Sequence, residues 1–210
     1  MAIYHIVLIP EKKQRDRLNN LKNKLYAWWY RYTSRGNSHD VHISLNEIYF
    51  DDMWLITTIK EKLSKIAKRY KPFTLPYLEI TDKIYKQTNN KELNEKYPNG
   101  RWWVSILFNN KDNELWFLAE ELITMAKLLH IDDMASYIDK IKSLKNKDEQ
   151  SNNILDYTAN HMNICNYALP EKASEAKAII EKYIPKEITF DTLALRNLDW
   201  KNEFEVKIKN

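Results

Sequence analysis

Two short stretches carry the residues best suited to chemistry. In Val41-His42-Ile43-Ser44-Leu45, apolar residues alternate with an imidazole and a hydroxyl. An extended backbone sends Val41, Ile43 and Leu45 to one face and His42 and Ser44 to the other. His161-Met162-Asn163-Ile164 repeats this arrangement, with an amide in place of the hydroxyl. Histidine titrates near neutral pH, so two rings facing one cleft can divide the work, one taking a proton and the other giving one. Ser44 and Asn163 put hydrogen-bond donors beside the rings, where a phosphoryl group would develop charge. A tyrosine follows each stretch, Tyr49 and Tyr167. With Trp102 and Trp103, of which strand alternation turns one outward, these are the candidates to stack on a nucleobase.

Other chemistries find less support. The chain of 210 residues has only 2 glycines and no glycine-rich phosphate loop. Cys165 is the sole cysteine, which excludes an intrachain disulfide framework and a cysteine-based metal knuckle. His39 and His42 form H-x-x-H, but that spacing on a strand separates the two onto opposite faces, and no acidic or cysteine partners accompany them. No metal and no cofactor is expected. The formal net charge of +4 is a mild bias towards anionic ligands. The basic run from Lys60 to Lys71 reads as a solvated helix face, and His5 and His130 as structural or exposed residues. A lone reduced cysteine, a first ten residues that read as a strand, and the lack of any membrane-length apolar run predict a cytoplasmic monomer without membrane association.

The elements that must position the two stretches form a repeat. Ile3 to Ile9 is β-branched and apolar, a buried strand. Leu18, Leu21, Leu25, Trp28, Trp29 and Tyr32 then share one helical face. The His42 strand follows and runs to about Tyr49. Asp51 and Asp52 are placed to cap a second helix, with Trp54, Ile59, Leu63, Ile66, Ala67 and Tyr70 inward. Phe73 to Ile80 is a strand whose Pro76 suits an edge or a bulge. Residues 81–100 are polar and read as a connecting segment.

The order then begins again: a strand over Arg101 to Phe108, a helix through Leu115 to Leu129, the His161 strand, a helix over Glu171 to Tyr183, and strands over Glu187 to Leu195 and Phe204 to Ile208. An extra helix from Asp132 to Lys145 and an Asn-rich linker precede the second histidine strand. The histidine strand is third in each unit. The expectation is one bilobal α/β (α+β) domain over 1–210, with repeat halves at about 1–80 and 101–210 and antiparallel sheets around a central cleft.

Two copies of His-x-[Thr/Ser]-x with apolar x positions, on equivalent strands of two α/β lobes, mark the 2H phosphoesterase superfamily. That superfamily includes the 2′-5′ RNA ligase-like proteins and the cyclic nucleotide phosphodiesterases, and this chain resembles it. His42-Ile43-Ser44-Leu45 conforms; His161-Met162-Asn163-Ile164 departs at Asn163. The resemblance implies a metal-independent phosphodiesterase acting on an RNA end or small nucleotide that carries a 2′,3′-cyclic phosphate or a 2′-5′ linkage. His42 and His161 would be catalytic, and Ser44 and Asn163 would bind the phosphate. Asn163 also motivates an alternative, an RNA- or nucleotide-binding protein that kept the cleft and lost catalysis. A third reading is a phosphodiesterase of cyclic di- or oligonucleotide signals.

Overall fold

The computed structural model describes residues 2–28, 40–85, 95, 101–110, 113–133, 161–167, 169–199 and 201–209. Its elements run β1 (Ala2–Pro10), α1 (Lys12–Trp28), β2 (Ile43–Phe50), α2 (Leu55–Ala67), β3 (Phe73–Tyr85), β4 (Arg101–Phe108), α3 (Glu114–Leu128), β5 (Asp132–Asp133), β6 (His161–Tyr167), α4 (Pro170–Tyr183), β7 (Glu187–Asn197) and β8 (Asn202–Lys207). The protein is an α+β fold whose strands pair antiparallel throughout.

The pairings close a ring. β1 pairs β2, β2 pairs β6, β6 pairs β4, β4 pairs β3, β3 pairs β7, and β7 returns to β1. Exchanging the halves (β1 for β4, β2 for β6, β3 for β7) leaves every one of these pairings in place. The repeat read from element order is therefore a pseudo-twofold symmetry of the sheet. The third strand of each repeat crosses over: β3 pairs along β4, and β7 along β1. The helices divide likewise. α1 and α4 pack on the β6 side, and α4 also covers β3 and β4; α3 lies against β2 and β5, and α2 against β7 and β8.

Alternation explains the burial. Tyr4, Ile6 and Leu8 of β1, Ile43 and Leu45 of β2, Val104, Ile106 and Phe108 of β4 and Met162 of β6 enter the helix-covered core. Ile43 and Met162 are wholly buried and pair with each other. Truncating either to Ala would cost about 2–5 kcal/mol. The opposite face carries the second, small cluster of Val7, Ile9 and Ala194.

Several expectations need correction. Trp54 is 87 % exposed and sits just before α2. Asp52 shapes the preceding turn, accepting the Trp54 N–H at 2.9 Å, and no side chain caps the helix. β3 continues five residues past Ile80 to Tyr85, because pairing with β4 satisfies its backbone despite the polar composition. Pro76, by contrast, sits as expected beside a bulge, at Tyr77/Glu79, where β3 passes from β7 to β4. Asp132 and Asp133 do not begin a helix; they form β5 against Ile48 and Tyr49. The rest of that expected helix, Trp29, Tyr32, His39 and most of the connecting segment lie outside the described residues.

Candidate active site

β2 and β6 meet at the Ile43–Met162 pair. In an antiparallel ladder this register sets His42 across from Asn163 and Ser44 across from His161, so the local dyad exchanges the two histidine stretches. His42, Ser44, His161 and Asn163 are all half-buried, while Ile43, Leu45, Met162 and Ile164 beside them are buried. The four polar side chains thus share one face. The two histidines are diagonal neighbours, a relation that ordinarily separates residues by roughly 7–8 Å, with the Cβ atoms somewhat closer. That spacing leaves room for a phosphoryl group between the rings.

Both histidine strands bulge at the same point. The β1–β2 register shifts between Ile6 and Val7, passing over Leu45; the β4–β6 register shifts between Val104 and Ser105, passing over Ile164. Each bulge resets the face on which later residues emerge. Glu47 and Tyr49 consequently return to the face of His42.

The surroundings of the two rings differ. Nδ1 of His42 lies 2.8 Å from the Asp40 carbonyl oxygen. Asp40 is anchored by α1: Asn19 Nδ2 donates to its carboxylate at 2.7 Å, and Asn19 Oδ1 accepts the Val41 N–H at 3.0 Å. Arg196 of β7 reaches in, with Nη1 3.1 Å from His42 Nδ1 and 3.4 Å from the Asp40 carbonyl, while Nε donates to Asn202 Oδ1 at 2.7 Å. Lys22 of α1, also buried, is pushed down to about 8 by burial, against the attraction of Asp40. For His161 the dominant influence is burial, which holds the ring below its usual pKa because the charged form loses hydration.

Asn163 departs from the Thr/Ser pattern but is supported. The Ser105 hydroxyl donates to its Oδ1 at 2.6 Å, and the two residues are cross-strand partners. With Oδ1 occupied, the Nδ2 donors are directed away from Ser105.

The four aromatic candidates separate into two pairs. Tyr49 is half-buried on the histidine face, and its hydroxyl donates to Glu47. Burial works to raise the Glu47 carboxyl, but hydrogen bonds from His5 and Tyr49 outweigh it and leave it below the usual range. Trp103, also half-buried, alternates on β4 with the core residues Trp102 and Val104, so it shares the face of Ser105. Trp102 packs against the core, and Tyr167 is fully buried within it. Tyr167 therefore has no ring face to offer a base. It stands six residues beyond its histidine, whereas Tyr49 stands seven beyond His42. With equivalent bulges, that one-residue difference puts them on opposite faces; Tyr167 corresponds to the buried Ile48.

Among the described residues, no group of three or more His, Cys, Asp or Glu side chains is gathered as a metal site. No described helix is long and apolar enough to cross a membrane. Sequence reasoning missed Arg196, Ser105, Asp40 and Asn19. Two of these carry a recognisable signal: a lone arginine ends the apolar run Leu193-Ala194-Leu195, and a lone hydroxyl interrupts Val104-Ser105-Ile106.

The chain matches no protein-family model and no curated protein. Among solved structures it is similar to Usb1 of Kluyveromyces marxianus, at a TM-score of 0.45 and 9% identity, covering 99% of this chain and 98% of that one. The structure of that protein with uridine monophosphate gives a TM-score of 0.43, again at 9% identity, with the same coverage. Likeness at this level carries no inference about activity.

Proposed function

We propose that the protein is a phosphodiesterase acting on RNA ends or small nucleotides, with His42 and His161 as its acid–base pair. The observation that supports this most is the Ile43–Met162 register, because it makes two imidazole–small polar pairs related neighbours on one face. In this reading a phosphoryl group lies between the rings, and the Ser44 hydroxyl and Asn163 amide hold its non-bridging oxygens. His161, kept neutral by burial, takes a proton from the attacking water or ribose hydroxyl. His42 gives its Nε2 proton to the departing ribose oxygen. Its Nδ1–H has the Asp40 carbonyl as acceptor, which a charged ring needs. The new phosphorus–oxygen bond forms as the old one breaks, with one proton taken up and one released. Positioned general acid–base groups contribute about 10²–10⁴-fold.

The preferred substrates carry a 2′,3′-cyclic phosphate or a 2′-5′ linkage, with Tyr49 and Trp103 placed to meet the base. The test is a panel of 2′,3′-cyclic, 2′-5′ and 3′-5′ nucleotides incubated with the purified protein in excess EDTA. Turnover of a cyclic or 2′-5′ member is expected. Binding with no product from any of them would identify a nucleotide-binding protein, and activity abolished by EDTA would overturn the metal-independent mechanism.

A further inference from the structure

Arg196 is a cation that is only 1 % exposed, at the end of an otherwise apolar strand run. Burying a guanidinium is costly unless its donors are matched. Here Nε is matched by Asn202 Oδ1 at 2.7 Å, and Nη1 lies 3.4 Å from the Asp40 carbonyl and 3.1 Å from His42 Nδ1. Asp40 and Glu205 supply compensating negative charge, while Arg15 opposes it.

The register explains the approach. Arg196 is the cross-strand partner of His5, and His5 that of Glu47, so Arg196 emerges on the histidine face of the sheet. Ala194 and Val7, partners on that same face, are small enough to leave a floor over which a long side chain can run towards His42.

We infer that Arg196 is a positioning residue for His42, holding the ring against the Asp40 carbonyl so that Nε2 is presented to the leaving oxygen. The inference rests on the phosphodiesterase reading for its catalytic consequence, though not for its structural one. Nδ1 faces two partners of opposite kind. The Asp40 carbonyl can only accept, so it favours the ring with a proton on Nδ1. The guanidinium can only donate: it bonds Nδ1 at 3.1 Å when that nitrogen carries no proton and the Asp40 carbonyl at 3.4 Å when it does, so the ring edge lies between two fixed groups in either state. His161 has no part in this arrangement, so the two histidines differ in what positions them.

The test uses Arg196→Met, Arg196→Lys and Asn202→Ala in the full chain. Asn202 is exposed, so its variant loosens the arginine without opening the core. The kinetic readout is the leaving group. A ribose alkoxide needs a proton from His42, whereas a 4-nitrophenolate leaves without one. Turnover of a 2′,3′-cyclic nucleotide should fall about 10–100-fold in Arg196→Met, within the range for a misplaced acid. A nucleoside 4-nitrophenyl phosphodiester should be slowed by less than about threefold. KM should change little, Arg196→Lys should recover part of the loss, and Asn202→Ala should show the same leaving-group split more weakly. Equal slowing of both substrates in both the Arg196→Met and Asn202→Ala variants would reduce Arg196 to a structural role.

The second readout needs no turnover. Imidazole ¹⁵N spectra of the substrate-free protein should show a single His42 tautomer that becomes a mixture in Arg196→Met and Asn202→Ala, with His161 unchanged. An unaltered His42 signal in both variants overturns the inference even if the protein hydrolyses no phosphodiester. An altered one sustains it in that same case.

Discussion

His42 and His161 hold equivalent places in a twofold ring of strands, yet the protein treats them differently. His42 is wired: a backbone carbonyl and a buried guanidinium address its Nδ1, and α1 anchors the carbonyl through Asn19. His161 is governed by burial, which favours its neutral form. The pairing symmetry gives the two stretches equivalent places, and residues outside the pattern give the two rings different environments. In the proposed mechanism, that difference is what lets one pattern supply both an acid and a base.

The comparison can be broken most directly by deleting either ring. His42→Ala and His161→Ala should each lower turnover of the best cyclic substrate by about 10²–10⁴-fold, with circular dichroism and unfolding cooperativity retained. A fully active His161→Ala protein would end the two-histidine mechanism.

A smaller but still large effect is expected at Asn163. Asn163→Asp puts a carboxylate near the phosphate, and like charges about 4 Å apart repel by roughly 1–4 kcal/mol. Substrate kcat/KM should fall accordingly, about 5–1000-fold, while Asn163→Ser, which restores the pattern of the first half, should stay active. If Asp and Ser behaved alike, Asn163 would not touch the phosphate.

Ser105→Ala tests whether the amide needs its orienting hydroxyl. Loss of one hydrogen bond of about 1 kcal/mol predicts roughly a fivefold drop in kcat/KM. Ser105→Thr should preserve activity.

The pH dependence sharpens the contrast between the rings. The folded-state pKa of His161 lies below its ordinary 6.5. Between those two values the unfolded chain binds the proton and the folded chain does not, so stability rises with pH across that window. Equivalently, the contribution is intact above 6.5 and is lost as pH falls through the folded pKa. Denaturant midpoints of His161→Asn against the parent, from pH 7 down to pH 4, should show a shallower acid decline in the variant. An identical decline would mean that burial does not discriminate against the charged ring.

The smallest effect belongs to the opposite junction, where β3 and β7 pair over Phe73–Pro76 and Glu187–Phe190. Thr74 and Thr189 share a hydroxyl contact of 3.0 Å there. Thr74→Val should cost about 0.2–1 kcal/mol in thermal unfolding. Turnover should not change, since this seam carries no reacting group.

The α+β class and the alternation of polar and apolar residues along each histidine stretch were legible in the sequence. Those follow from local periodicity, which a chain states residue by residue: Ile43 and Met162 are apolar because they point inward, and the histidines flank them. It could not put Tyr49 and Tyr167 on the right faces. Plain alternation sends Tyr167, six residues on, to the face of its histidine and Tyr49, seven residues on, to the other face; the bulges at Leu45 and Ile164 reverse both. Nor could it find Arg196, which lies 154 positions from His42. A side chain that acts across β1 has no local period to announce it. Only the folded chain sets the Ile43–Met162 pair between the two histidines, lowers the pKa of one half-buried ring through lost hydration, and holds the other with an arginine from the far end of the chain. The physical reason is that hydration, charge and hydrogen-bond partners are set by what packs around a residue in space, while strand alternation is set by its immediate neighbours along the chain.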